Sequence, residues 1–168
     1  LSTLAQLPRV AAALMRGDDG LLRGLIGIAE ANGIAVVGAH EIVPDLLAPE
    51  GNLTRARPNA ADDRDIEAAS EAALAIGRLD IGQAAVAIGG RAVALEGIEG
   101  TDGLLERTVG LRGHGRLAGK ARGVLVKRCK PRQEQRADLP AIGPDTVDAA
   151  HAAGLAGGTL ERLRVHEV

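Results

Sequence analysis

The first periodic segment, GDDGLLRGLIGIAEANG, places apolar side chains at Leu22, Leu25, Ile26 and Ala29. This is the i, i+3, i+4, i+7 stripe of a helix buried along one face. Acidic residues open the segment and Gly33 follows it as a C-cap, so a helix is expected from about Asp19 to Ala31. The apolar run IAVVGAH then predicts a short buried strand, which makes residues 1–47 one αβ unit. Over residues 48–61 both periodicities stop: Pro49, Gly51 and Pro58 stand among polar residues, the pattern of a linker.

Past the linker, Ile66, Ala69, Ala73 and Ile76 share one helical face behind a run of acids that suits a helix N-terminus. AAVAIGGRAVALEGI is two β-like runs about Gly89-Gly90, a pair that accepts the positive φ angles of a tight hairpin turn. A helix from about Asp102 to Leu111 stacks Leu104, Thr108 and Leu111, and GVLVKRCK reads as a strand. A final helix has Pro144 in its first turn and Gly154 past its end. The fold class expected is α/β: a partial first αβ domain over 1–47, a linker over 48–61, and a second α/β domain with a mixed sheet over 62–168.

Composition narrows the chemistry. The chain has 20 basic and 22 acidic residues, a formal charge of −2, so no nucleic-acid partner is expected. Phe, Tyr and Trp are absent, which removes the rings on which bases commonly stack. The core must then be Ala, Leu, Ile and Val at close backbone approach, consistent with 23 glycines. Cys129 has no second cysteine to pair with, and no Cys/His cluster supports zinc, which points to a reducing compartment. Arg128 and Lys130 flank Cys129, yet no partner base is evident, so a spectator thiol is expected. No apolar run reaches the length of a membrane span and no signal-peptide pattern opens the chain; as the first residue is Leu and not Met, a natural start upstream is an expectation.

Two clusters carry candidate chemistry. In ALEGIEGTDGLLERT, Glu96, Glu99 and Asp102 alternate with glycines. Thr101 or Asp102 suits an N-cap, which leaves Glu96 and Glu99 without a role. The other reading is a carboxylate site for Mg²⁺, with glycines admitting a phosphate. In KRCKPRQEQRADLPAIG, the cations Lys127, Arg128, Lys130, Arg132 and Arg136 form either a solvated loop or an oxyanion grip at a strand end. Asp138 after them suits a metal ligand, an activator of water, or a turn former. The four histidines are scattered, and neither a Gly-x-Ser-x-Gly elbow nor a dinucleotide-binding glycine pattern is present.

Taken in order, GDDGLLR, GAHEIVPDLLAPEG, DIGQAAV, ALEGIEGTDGLLER, GVLVKRCKP and RADLPAIGPDTVDAAHAAGLAG resemble the LpxI-type UDP-2,3-diacylglucosamine pyrophosphatases of lipid A synthesis. The resemblance runs from about Pro8 to Gly157. It implies two α/β domains joined by a linker. It also implies Mg²⁺-dependent hydrolysis of UDP-2,3-diacylglucosamine to UMP and lipid X, in the cytoplasm and peripheral to the inner-membrane surface; a homo-oligomer is left open. Asp138 matches the family's catalytic aspartate. The matched motifs further imply Asp138, Asp102 and Glu99 as metal ligands, and Gln83, Thr101, Lys127 and Lys130 as substrate or phosphate contacts, with Asp80 beside Gln83. Individual roles within this set are inference. The family's opening GGG-x-LP motif is missing, so a chain lacking most of the N-terminal domain is expected, and Arg128 and Cys129 replace smaller residues. The alternatives are a noncatalytic nucleotide- or anion-binding module and a purely structural α/β domain.

Overall fold

The computed structural model describes residues 17–117, 119–131 and 133–160. The chain divides into two compact units, Leu1–Ala48 with Arg132–Leu139, and Pro49–Pro131 with Pro140–Val168. Asp138 thus belongs to the first unit, whereas Gln83, Glu99, Thr101, Asp102, Lys127 and Lys130 belong to the second.

In the first unit, helix α1 (Gly17–Ala31) forms where expected, but of its apolar stripe only Ile26 is buried: Leu22 and Ala29 are half-buried and Leu25 is exposed. It ends as its sequence requires: Gly33 takes φ +78°, and the Ile34 N–H reaches back to the Ala29 carbonyl. The strand expected at IAVVGAH is not formed. Residues 34–38 have no regular structure, helix α2 (Ala39–Ile42) follows, and Ile34 and Val37 are exposed. A strand needs a neighbour for its backbone groups, and among the described residues none pairs with this run.

The second unit is a three-layer α/β arrangement. Helix α3 (Ala60–Arg78) starts at a capping box in which Asn59 accepts from Ala61 and Asp62 N–H and Asp62 returns a bond to the Asn59 N–H. Strands β1 (Ala84–Ala87) and β2 (Ala92–Leu95) form the expected hairpin, with Gly89 and Gly90 both at positive φ. Helix α4 (Gly100–Leu111), strand β3 (Val124–Lys127), helix α5 (Pro144–Ala152) and strand β4 (Gly157–Leu160) complete it. The sheet order is β2-β1-β3-β4, antiparallel except for the parallel β3/β4 pair, so the mixed sheet is as expected. β4 is an addition to the sequence reading.

Strand alternation sorts the core into two faces. Ala85, Ala87, Val124 and Val126 pack with Ala69 and Ala73 of α3. Ala84, Val86 and Leu125 face Leu104 and Leu105 of α4 and Ala153 and Leu155 beyond α5. Alanines facing alanines bring α3 close to the sheet, which is how an aromatic-free sequence fills its core.

Candidate functional site

The acidic turn after β2 is organised by the residue that the sequence left without a role. Glu96 is 7% exposed, and its carboxylate bridges two segments. Oε2 accepts from the backbone N–H of Gln83 at 2.6 Å and of Ala84 at 3.0 Å, and Oε1 accepts from the Thr101 hydroxyl at 2.7 Å. A buried carboxylate is tolerated where it is hydrogen-bonded, and here both oxygens accept, Oε2 twice and Oε1 once. The approach is close enough to require glycine at the neighbouring position, since a Cβ on Gly82 would lie 2.5 Å from the Glu96 carbonyl oxygen.

The expected cap at Thr101 or Asp102 is not formed. Glu99 occupies the N-cap position in helical geometry and makes no side-chain cap bond. A cap requires a side-chain oxygen that accepts from an N–H. Thr101 lies inside the first turn, where its hydroxyl donates to Glu96 instead. Asp102 is exposed in the same turn.

Glu99 is held by Arg107, whose guanidinium donates to Glu99 Oε1 at 2.5 Å and to the Leu95 carbonyl at 2.6 Å. Its own backbone N–H first, and Arg107 next, hold the Glu99 carboxyl below the ordinary carboxylate range against the opposing effect of desolvation. The flanking glycines make room for this side chain: a Cβ on Gly97 would meet Glu99 Oε2 at 2.7 Å, and one on Gly103 would meet Glu99 Cγ at 2.6 Å. These residues, with Ile76, Ile81 and Leu95, line an open groove of about 790 Å³.

Arg132 lies outside the described residues; Lys127, Lys130 and Arg128 each bond a different partner. Lys127 Nζ donates to the Ala141 carbonyl at 3.1 Å, Lys130 Nζ pairs with Asp80 at 2.6 Å, and Arg128 donates to Ser70 Oγ at 2.7 Å. The Arg128 N–H also donates to the Gln83 carbonyl at 2.8 Å, which carries the β1/β3 pairing up to the Glu96 bridge.

In the first unit, Asp138 is exposed and accepts from Gln133 Nε2 at 2.6 Å. The same segment is fastened by Arg136, which bonds both oxygens of Glu134 and reaches Glu30 at 2.7 Å and the Val36 carbonyl at 3.3 Å. The Arg136 guanidinium pushes the Glu134 carboxyl down, and Glu134 first and Glu30 next push Arg136 further up.

Two positions went unrecognised in the sequence as supporting groups. Gln133 carried no signal, whereas Glu96 was visible as an acid that the cap reading could not place. Among the described residues, no group of three or more His, Cys, Asp or Glu side chains is placed to hold a metal ion, and no helix is long and apolar enough to cross a membrane.

Comparison with known proteins adds family to geometry. The chain is 43% identical to the UDP-2,3-diacylglucosamine pyrophosphatase LpxI of Caulobacter vibrioides over 168 residues, 96% of this chain and 59% of that protein. The Glu96 bridge, the Arg107-held Glu99, Lys127, Lys130 and Asp138 all lie within residues 49–165, which match the model of the LpxI C-terminal domain. The chain therefore belongs to the LpxI family, and it carries that family's C-terminal domain.

Proposed function

We propose that this protein hydrolyses the phosphoanhydride of UDP-2,3-diacylglucosamine, releasing UMP and 2,3-diacylglucosamine 1-phosphate for lipid A synthesis. The observation that carries the reading is the similarity to a relative bearing that name, which runs through every block that holds a candidate site residue. Because the chain spans 59% of that relative's length, the activity is proposed for this chain and not transferred to it.

Hydrolysis requires a water oriented toward one phosphorus and compensation of the charge that leaves on the other phosphate. Water adds to phosphorus, the bond to the bridging oxygen breaks, and its electron pair departs with the second phosphate. Asp138 is the proposed catalytic carboxylate, with Gln133 fixing one oxygen. Lys127 and Lys130 are proposed to face phosphate oxygens, and Gln83 and Thr101 to contact substrate.

Mg²⁺ belongs to the same proposal. Its usual mode is one or two carboxylates plus substrate phosphates and water, so a cage of three protein acids is not required. The acids offered to it are Asp138, Asp102 and Glu99, all oxygen donors of the right hardness, although Glu99 would first have to leave Arg107. When bound, the ion would neutralise charge on the nonbridging oxygens. We further propose that the protein works peripherally at the cytoplasmic face of the inner membrane, where a lipid-bearing substrate resides.

The test is UMP release from UDP-2,3-diacylglucosamine by the native chain and by Asp138→Asn, with Mg²⁺ and after chelation. Turnover that disappears with Asp138→Asn supports the enzyme. Binding of the nucleotide without turnover supports a noncatalytic nucleotide- or anion-binding module instead.

A further inference from the structure

We propose that Glu96 is a positioning residue that fixes Thr101 as a hydrogen-bond acceptor toward the ligand, so that this turn reads an N–H or O–H donor of the substrate and not a phosphate oxygen. The inference rests on the reading above that Thr101 contacts substrate, and it corrects the polarity of that contact.

A threonine hydroxyl has one hydrogen and two lone pairs, and a carboxylate has lone pairs only. With Oε1 of Glu96 2.7 Å from Thr101 Oγ1, the single hydroxyl hydrogen points at Glu96 and only lone pairs remain for a ligand. Phosphate oxygens are also acceptors, so a phosphate placed there would meet Thr101 with no proton between them. Sugar hydroxyls and the amide N–H of an acylated amino sugar are donors and match it.

The arrangement is fixed by the backbone. Oε2 of Glu96 is held by the N–H groups of Gln83 and Ala84, so the carboxylate cannot turn away without leaving two donors unpaired. Burial of Glu96 limits competition from water, and Gly82 packs closely enough on the Glu96 carbonyl that a Cβ there would lie 2.5 Å from its oxygen.

Glu96→Gln is a near-isosteric reversal. Its amide oxygen can keep the two backbone N–H groups, which turns the amide nitrogen toward Thr101. The hydroxyl then accepts from that nitrogen and donates outward, the polarity that suits a phosphate. Loss of the charge alone raises affinity for any anion, so the informative quantity is a ratio of affinities.

The probes are UDP-N-acetylglucosamine, which carries donors, and inorganic pyrophosphate, whose ligand atoms are acceptor oxygens, both titrated by calorimetry. Thr101→Val is expected to weaken UDP-N-acetylglucosamine about threefold to tenfold, the range for one lost hydrogen bond, and to leave pyrophosphate unchanged. Glu96→Gln is expected to shift the affinity ratio toward pyrophosphate, and to leave it unchanged in a Thr101→Val background. Circular dichroism confirms the fold of each variant, and the Thr101→Val result stands by itself if Glu96→Gln does not fold. UDP-glucose separates the donor sources: an equal loss assigns a donor common to both nucleotides, a hydroxyl or the uracil N–H, and a loss confined to UDP-N-acetylglucosamine assigns the amide. If Thr101→Val weakens pyrophosphate as much as the UDP-sugars, or if Glu96→Gln leaves the ratio as it was, the polarity assignment is overturned while nucleotide binding stands. If the native chain binds neither probe, the underlying reading fails and this inference with it.

Discussion

Gln133 Nε2 donates to Asp138 Oδ2 at 2.6 Å, and the donor is buried while the acceptor is exposed. A buried amide that bonds one carboxylate oxygen sets the direction of the other. Removing a hydrogen bond to a charged group costs about 1.5–3 kcal/mol, so Gln133→Ala should lower turnover roughly tenfold to a hundredfold. Asp138→Asn should lower it further, about 10²–10⁴-fold if the carboxylate handles a proton. Steady-state UMP release by the two variants checks this, and native turnover in Gln133→Ala would remove Gln133 from the site.

Arg112 makes a separate prediction about stability. From the end of α4 it donates to four carbonyls: Ala153 at 2.8 Å, Gly154 and Arg122 at 2.7 Å, and Lys120 at 3.3 Å. It therefore ties the end of α5 and the loop before β3 to one helix terminus. Arg112→Ala should destabilise the chain by about 2–4 kcal/mol, from several hydrogen bonds to a charged group. Arg112→Lys should recover little, because an ammonium lacks the planar fork that reaches carbonyls in different directions. Urea midpoints of the two variants measure the difference, and a full rescue by Lys would refute the geometric account.

What could be read in advance follows from where the physics is local. The α3 stripe of Ala69, Ala73 and Ile76, the Gly89-Gly90 hairpin and the caps at Gly33 and Gly154 depend on neighbours within a few residues, and all are present. The IAVVGAH strand failed because a strand depends on a partner that its own sequence cannot supply. β4 was missed for the opposite reason: Gly157 and Gly158 carry no alternation, and pairing with β3 makes the strand. At the site, the acids were visible but not their bonding. Glu96 is joined to Gln83 across 13 positions, a distance that no local pattern records. The cations of the basic run likewise looked like one cluster, but Lys130 pairs with Asp80, 50 positions away, and Arg128 with Ser70, 58 positions away.

Acid should act on the Asp62–Arg122 pair. Arg122 Nε and Nη2 bond the two oxygens of Asp62 at 3.0 and 2.6 Å. The Arg122 guanidinium first, and the Asn59 N–H next, hold the Asp62 carboxyl below its ordinary range against desolvation. A carboxyl whose folded value is depressed adds stability that is fully present above its unfolded value, near pH 4, and is lost as pH falls through the lower folded value. Asp62→Asn should thus be destabilised by about 1–3 kcal/mol at neutral pH and lose less than the native chain on acidification below about pH 4. Urea titrations at neutral and acidic pH give both quantities; parallel losses in the two proteins would assign the acid sensitivity to other carboxyls.

Asp80 links helix geometry to the proposed phosphate contact. It ends α3 at φ +55°, with its N–H on the Gly77 carbonyl and the Ile81 N–H on the Ile76 carbonyl, the pattern that glycine supplies after α1 and α5. A residue with a Cβ costs roughly 1–2 kcal/mol in this conformation, and Asp is among the few types that visit it. What Asp adds over Gly is a carboxylate 2.6 Å from Lys130 Nζ, in a pair whose lysine side chain is 16% exposed. Asp80→Gly should therefore melt within a few degrees of the native chain, because relief of the backbone offsets loss of a partly exposed ion pair worth about 0–1 kcal/mol. Asp80→Asn keeps the conformational tolerance and removes the counter-charge. If Lys130 faces a substrate phosphate, both variants should bind inorganic pyrophosphate a few-fold more tightly at low salt, and the gain should shrink as ionic strength shortens the screening length. Calorimetric titration of pyrophosphate at two salt concentrations tests this; unchanged affinity in both variants would leave Lys130 as the partner of a helix end and remove it from the anion site.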